Sequence, residues 1–188
     1  MSDVGEGRVL AMRFRMVMLV GALLLAGCQR ADEVDPLVAG LAGEIGQEQL
    51  DGLTRKREGT RYLRRAMFHL ECAVRQGRDP GGLIDEAQRL NGDGGTARAA
   101  ADRAMLLENL SILAGLGCLG PEGLADLEAG RAPAITVEPH AGEIASVDHI
   151  LPRSVAPELD NRLYNLRFMP EPMDGAKANT IDCWQVLL

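Results

Sequence analysis

Aromatic residues are scarce in this chain and make up only 3% of its 188 residues. Any core must therefore be built mainly from Leu, Ala, Ile, Val and Met. Positive charge is in the minority, because 20 Lys and Arg face 27 Asp and Glu and leave a formal net charge of −7. That sign argues mildly against general nucleic-acid binding, in which basic side chains neutralise phosphates. The composition is otherwise ordinary for a globular protein, with 46% hydrophobic and 25% charged residues.

Long apolar runs are few, and the clearest one occupies residues 16–26. Arg13 and Arg15 precede it, and a basic flank followed by an apolar run is typical of a secretory signal. The run is too short to span a bilayer comfortably. The sequence LAGC at residues 25–28 resembles the lipoprotein box of bacteria. This resemblance implies cleavage before Cys28, whose thiol would then carry a lipid. The alternatives are a plain signal and a buried helix.

The lipoprotein resemblance also predicts how the N-terminal region is divided and where the protein is located. Residues 1–27 would be the signal peptide and residues 28–35 a polar tether. The protein would be exported and held by lipid at the bacterial cell envelope, on the periplasmic face or at the outer membrane. Lipid is an anchor rather than a span, and we expect no transmembrane helix in the mature chain.

Cysteine is sparse, and no Cys-x-x-Cys pair is present, which excludes a structural zinc site of the four-cysteine kind. With Cys28 used by lipid, Cys72, Cys118 and Cys183 remain in a compartment where disulfides persist. Cys72 and Cys118 both fall on helical or helix-end segments of one region, so we expect a disulfide between them. The alternative is three buried free thiols.

Residues 36–130 are predicted to form a small helical bundle, because apolar residues recur three or four positions apart. The clearest helix is expected over residues 60–76, capped by Thr60 and ended by Gly77. Further helices are predicted from Asp79-Pro80 to Asn91-Gly92, over 97–115 after a Thr96 cap, over 121–129 and, more weakly, over 36–50.

The densest basic patch of the chain spans the start of the clearest helix. Its members are Arg55, Lys56, Arg57, Arg61, Arg64, Arg65 and Arg75. One interpretation is a solvated helix face. The other is a surface that binds a phosphate backbone, because Arg and Lys neutralise that charge regardless of base sequence.

The composition changes at residues 131–133, and residues 131–188 form the second predicted region. At about 55 residues this region is too small to be securely stable alone, so we expect it to pack on the helices. It contains the segment VDHILPRSVAPELDNRLYNLRFMPEPMDGAK at residues 147–177.

This segment resembles the HNH endonucleases, also called His-Me finger or ββα-metal nucleases. The matching elements are Asp148-His149, Pro152, Asn165-Leu166, Asp174 and Lys177. The nine-residue step from Asn165 to Asp174 and the three-residue step to Lys177 both agree with the family pattern. Asp174 is a departure, because that helix position usually holds Asn or His. The resemblance covers about 35 of the 188 residues.

The resemblance implies an α+β fold, with a mainly helical N-terminal bundle followed by a C-terminal ββα-metal finger. The first strand would end at Asp148-His149, and residues 152–158 would form a loop. The second strand would return over 161–169, and a helix would start near Met173. Consecutive strand residues point to opposite faces, so Asp148 and His149 could converge only where the backbone becomes irregular.

Phosphodiester hydrolysis explains why these residue types are needed. An imidazole accepts protons near neutral pH, and the resemblance makes His149 the general base. Carboxylate oxygens hold hard divalent cations, and the resemblance assigns a metal to Asp148 and Asp174. Mg²⁺ is expected, with Mn²⁺ or Zn²⁺ as alternatives. Asn165 would be a catalytic residue that orients His149.

Four further residues are candidates for contact with the substrate. Lys177 would face a phosphate or pack the helix end, according to the resemblance. Arg153 and Arg167 are basic residues that could touch phosphate. Asn161 is the fourth candidate, although an Asp-Asn pair is also ordinary turn chemistry.

The expected function is that of a lipid-anchored, metal-dependent endonuclease that cuts DNA, or RNA, with little sequence preference. No segment resembles a sequence-reading module such as a recognition helix. The alternative is a lipoprotein whose inactive HNH-like element is a structural or protein-binding module of the envelope. A third interpretation is a helical envelope scaffold with a chance match to the motif.

Overall fold

The computed structural model describes residues 34–55 and 57–171. Those from Pro36 onward belong to one compact unit. Outside the described residues lie the expected signal peptide, the finger's expected helix, Cys28, Asp174, Lys177 and Cys183.

Six helices precede a small antiparallel sheet in the described chain. They are α1 (Pro36–Ile45), α2 (Gln47–Asp51), α3 (Gly59–Arg75), α4 (Pro80–Leu90), α5 (Ala97–Gly115) and α6 (Pro121–Glu128). The sheet contains β1 (Ala145–His149) and β2 (Leu166–Pro170), with short 3-10 turns at Pro157–Leu159 and Leu163–Asn165 between the strands. The α+β prediction is confirmed at this coarse level. No helix in residues 34–55 and 57–171 is both long enough and apolar enough to cross a membrane.

Local capping explains where two of the helices begin. The Asp79 side chain accepts a hydrogen bond from the Gly82 N–H at 2.7 Å and starts α4. The Thr96 hydroxyl accepts from the Ala99 N–H at 3.0 Å and starts α5. Both are short polar residues of the kind that satisfy the free N–H groups of a first turn.

The cap of α3 comes from elsewhere, and the prediction of Thr60 as its N-cap is wrong. Thr60 lies inside α3, and its hydroxyl donates to the Arg57 carbonyl at 2.7 Å. The Gly59 N–H instead donates to Oδ1 of Asn161, 2.9 Å away in the loop between the strands. The first turn of α3 is therefore satisfied by a residue of the motif segment.

The sheet packs on the helices through a shared apolar core. Val147 and Phe168 from the sheet are only 2% and 1% exposed. They belong to the same cluster as Leu70 of α3 and Leu106 of α5. Residues 131–171 therefore share their core with the helices, as expected for a segment too small to be stable alone.

Helix α5 also binds β2 through a buried amide. The Nδ2 of Asn109 donates to the Leu166 carbonyl at 2.9 Å, and its Oδ1 accepts from the Phe168 N–H at 2.9 Å. One side chain thus pairs with the backbone of β2 as a neighbouring strand would. Asp102, nearer the start of the same helix, accepts from the Tyr164 N–H at 3.0 Å.

The second strand is shorter than predicted. Residues 163–165 form a 3-10 turn, and strand pairing begins only at Leu166. The turn is held by the bond between Asp102 and the Tyr164 N–H and by a local bond from the Asn165 N–H to the Arg162 carbonyl at 2.9 Å. These backbone groups are used away from β1, so residues 161–165 do not extend the sheet.

The predicted disulfide between Cys72 and Cys118 is absent, because both are free thiols. Cys118 is buried, with its Sγ 3.9 Å from the Leu116 carbonyl, whereas Cys72 is partly exposed on α3. Burial raises the pKa of Cys118 to about 11 and also raises the pKa of Cys72. Both thiols are therefore protonated and poorly nucleophilic at neutral pH.

Candidate functional site

The two strands bring the motif residues to one end of the hairpin. His149 is opposite Leu166 in the register, and Asp148 is opposite Arg167. The Ile150 N–H then donates to the Asn165 carbonyl at 2.9 Å and closes the hairpin just beyond β1. The prediction that Asp148 and His149 end the first strand agrees with this register.

Asp148 and His149 occupy different environments because the strand remains regular up to its last residue. His149 is 6% exposed and lies on the same face as Val147. Asp148 is half-buried on the other face. Alternation of side chains along a strand is the cause, so the described part of the chain does not show the two side chains converging.

Asn165 closes the loop that separates the strands. It is 2% exposed, and its Oδ1 accepts from the Leu151 N–H at 2.8 Å. Its Nδ2 donates to the Leu151 carbonyl at 3.1 Å and to the Leu159 carbonyl at 3.2 Å. The amide uses its acceptor and both donors on loop backbone. These bonds fix the loop at Leu151, two residues after His149 ends β1.

The imidazole of His149 is held by Asp160. Its Nε2 lies 2.8 Å from the Asp160 backbone carbonyl and 3.1 Å from Oδ1 of the same residue. A carbonyl oxygen only accepts, so the shorter contact assigns the proton of the neutral ring to Nε2. Nδ1 then carries the lone pair, which makes it the basic nitrogen of the ring.

Asp160 was not predicted, although it lies at the centre of the site. It is 8% exposed. Its Oδ2 lies 3.4 Å from the Arg57 N–H and 3.4 Å from Nε of Arg153. A lone Asp eleven residues after the His gives no periodic signal, and Arg57 is about a hundred residues away in the chain. Only the tertiary structure brings these groups together.

Asn161 and the two predicted arginines make contacts within the protein. Asn161 accepts from the Gly59 N–H and donates from Nδ2 to the Arg55 carbonyl at 3.3 Å, which favours a structural role over the expected substrate contact. Arg167 pairs with Glu108 of α5 at 2.8 Å. Arg153 pairs with Asp160 and keeps 43% of its side chain exposed.

The basic patch divides into two parts. On α3, Arg65 pairs with the buried Glu44 at 2.9 Å, and Arg64 donates to the Gly130 carbonyl at 3.4 Å. Burial lowers the pKa of Arg64 and raises that of Glu44. Arg55 and Arg57, by contrast, are exposed and lie beside Asp160-Asn161. The loop half of the patch is therefore at the motif, whereas Arg64 and Arg65 of the helix half make contacts within the protein.

Of the two expected metal ligands, one lies among the described residues. Within residues 34–55 and 57–171, no group of three or more His, Cys, Asp and Glu is arranged to hold a metal ion. Asp148 is the expected ligand that lies in this range, and Asp174 lies outside it. A half-buried carboxylate suits Mg²⁺, which takes one or two protein carboxylates and keeps several waters.

Comparisons with family models, with curated proteins and with solved structures found no match.

Proposed function

We propose that this protein is a metal-dependent endonuclease of the HNH kind that hydrolyses phosphodiester bonds of DNA, or of RNA, with little sequence preference. The observation that supports it most is the His149 imidazole at the end of β1, with Nε2 held on the Asp160 carbonyl at 2.8 Å. A neutral imidazole in a single tautomer is what general-base catalysis requires. Asn165, the expected orienting residue, also lies at this end of the hairpin, where its Oδ1 accepts from the Leu151 N–H.

His149 would take a proton from the attacking water at Nδ1. The ring then becomes an imidazolium with a proton on each nitrogen. The Asp160 carboxylate, 3.1 Å from Nε2, stabilises this charge, because opposite charges attract strongly where water is excluded. The hydrogen bond from Nε2 to the Asp160 carbonyl would fix the orientation of the imidazole ring, so that Nδ1 points in one direction during the reaction.

Asp148 and Asp174 would hold the divalent cation, with Mg²⁺ first and Mn²⁺ or Zn²⁺ as alternatives. When bound, the cation supplies Lewis-acid stabilisation of the phosphoryl and leaving oxygens. Asp174 in place of the usual Asn or His adds a negative charge, which strengthens attraction for a hard cation. Lys177, which also lies outside the described residues, would contact a phosphate.

The same proposal includes export and lipid anchoring at Cys28. LAGC at residues 25–28 and the preceding apolar run support it. The substrate would then be nucleic acid outside the cytoplasm, and the lipid would hold the enzyme at the envelope.

One observation favours the alternative, an inactive HNH-like module with a structural or protein-binding role in the envelope. Asp148 and His149 lie on opposite faces of a regular strand, and His149 is buried. An active site needs both groups to reach one phosphodiester. The two functions are separated by assaying cleavage directly.

The protein should nick supercoiled plasmid in Mg²⁺ or Mn²⁺ and should stop when a chelator is added. His149→Ala should abolish nicking while circular dichroism still shows the native helices. His140→Ala is the matched control, because His140 is a partly exposed residue paired with Glu143 at 2.9 Å and should remain active. If wild type and His149→Ala are equally inert with every divalent metal tried, the nuclease proposal is wrong and the binding module is favoured.

A further inference from the structure

The loop before α3 is attached to the motif by two adjacent residues. Asp160 accepts from the Arg57 N–H through Oδ2, and Asn161 contacts the Arg55 carbonyl and the Gly59 N–H. Every one of these contacts uses loop backbone. Arg55 and Arg57 are both exposed there.

Arg57 is fixed by a side-chain hydrogen bond and by an unusual backbone conformation. Its guanidinium Nη2 donates to the Val147 carbonyl at 3.2 Å, two residues before His149 on β1. Its backbone has φ 59°, in the left-handed region that L-residues seldom adopt. Residues retained in this region cluster at functional sites, because the surrounding contacts must offset the strain.

We propose that Arg55, Arg57 and Arg153 form a phosphate-binding surface that holds the substrate strand beside His149. We infer equally that Arg61, Arg64 and Arg65 on α3 do not contact it. This inference rests on the proposed nuclease function and names the surface that binds the substrate. Arg153 belongs to it because its Nε is held on Oδ2 of Asp160, the atom that also receives the Arg57 N–H.

The acidic groups nearby do not cancel this surface. Asp160 is paired with Arg153 and also accepts from the Arg57 N–H. Asp51 pairs with Arg98 at 2.8 Å and also with Arg162. Asp51, Asp160, Arg153 and Arg162 line a polar cleft of about 250 Å³. Glu158 also lines this cleft and is exposed, so its charge opposes an incoming phosphate.

The helix half of the patch differs because Arg64 and Arg65 make contacts within the protein. Arg65 pairs with the buried Glu44, and burial raises the pKa of that carboxyl although Arg65 and Arg61 favour its charged form. Arg64 is partly buried against the Gly130 carbonyl. Moving the Arg65 guanidinium to a phosphate would leave the buried Glu44 carboxylate without its ion-pair partner, which is strongly unfavourable.

The test measures binding of a short fluorescent DNA duplex by anisotropy, in EDTA so that nothing is cut, over a range of salt. Each phosphate contact contributes roughly 0.9 to the slope of log affinity against log salt. Arg55→Gln/Arg57→Gln should therefore reduce the slope by about 1.8 if each arginine contacts one phosphate. Arg55→Lys/Arg57→Lys keeps both charges and should keep the slope. Glu158→Gln should raise the affinity.

Arg61→Gln/Arg65→Gln is the matched control, with the same change in charge and an unchanged expected slope. Should the loss of the Arg65–Glu44 pair unfold it, Arg61→Gln/Arg89→Gln carries the same charge change without breaking that pair. A merely structural role for Arg57 would lower the melting temperature and leave the slope untouched.

The outcomes separate this inference from the nuclease proposal. An unchanged slope in Arg55→Gln/Arg57→Gln, or an equal loss in the α3 control, overturns the phosphate surface. If wild type still nicks plasmid in Mg²⁺ after such a result, the nuclease proposal stands without the phosphate surface. Wild type that neither binds DNA nor nicks it overturns both.

Discussion

The stability of the protein should fall as pH rises through the titration of Asp102. This carboxyl is 3% exposed on α5, where it accepts the Tyr164 N–H at 3.0 Å and has the Arg98 Nε 4.0 Å away. Burial raises its pKa from 3.8 to about 6, although Arg98 and the Tyr164 N–H favour the charged form. The Asp102→Asn variant removes the titration and keeps an oxygen for the Tyr164 N–H.

The difference between a pKa of about 6 in the folded protein and 3.8 in the unfolded chain is worth about 3 kcal/mol, at roughly 1.36 kcal/mol per pH unit. The folded protein binds this proton more tightly than the unfolded chain does. Its contribution to stability is therefore complete below pH 3.8 and is lost as pH rises through about 6. A side-chain amide at this position cannot ionise. The free energy of unfolding of Asp102→Asn, relative to that of wild type, should therefore rise by about 3 kcal/mol between about pH 4 and pH 8.

The measurement is urea unfolding by circular dichroism at several pH values, with wild type and Asp102→Asn compared at each. The decisive quantity is the change with pH in the difference between their free energies of unfolding. The cost of placing an amide NH₂ group near Arg98 is the same at every pH and does not affect that change. Asp85→Asn is the control, since Asp85 is half-exposed and its pair with Arg103 should contribute little at any pH. Profiles of Asp102→Asn and wild type that remain parallel within about 0.5 kcal/mol would refute the assignment of this pH dependence to Asp102.

Two other predictions concern the buried amides that hold the motif. Asn109→Leu should lower the free energy of unfolding in urea by about 2–4 kcal/mol, because the Leu166 carbonyl and the Phe168 N–H would remain buried without their amide partner. A loss below about 0.5 kcal/mol would contradict the role of Asn109 in holding β2. Asn165→Ala should lower both the melting temperature and the plasmid-nicking rate, since three hydrogen bonds to the loop backbone are lost. Asn91→Ala, which loses one bond to the Ala42 carbonyl away from the motif, should lower the melting temperature and leave nicking unchanged.

The helices could be predicted closely because their signals are local. A capping Asp79 or Thr96, an apolar residue at every third or fourth position, and a terminating Gly77 or Gly92 all lie within a few residues of the element they define. Helices α4 and α5 begin where these signals place them. The start of α3 was misassigned to Thr60 because its cap, Asn161, lies 102 residues away.

The candidate site could be predicted only in part. The motif pattern placed His149 at the end of the first strand, which agrees with the hairpin. It placed Asn165 within the second strand, whereas Asn165 lies in the 3-10 turn before β2 and bonds the loop backbone. Asp160 was missed, and so was the division of the basic patch into a loop half and a helix half. These features depend on contacts between residues far apart in the chain, which no spacing or periodicity encodes.

The amino-acid sequence by itself determined the helices, because capping and hydrophobic periodicity act over one or two turns of backbone. The resemblance of residues 147–177 to the HNH nucleases implied the coarse α+β class and the strand end at Asp148-His149, and the hairpin agrees with both. The tertiary structure decided which nitrogen of His149 carries the proton, since the Asp160 carbonyl reaches it only across a folded loop. It also decided that Arg55 and Arg57 lie beside the motif. Asp160 and Asn161 join two segments about a hundred residues apart, and a buried polar group must find its hydrogen bond wherever the fold places one.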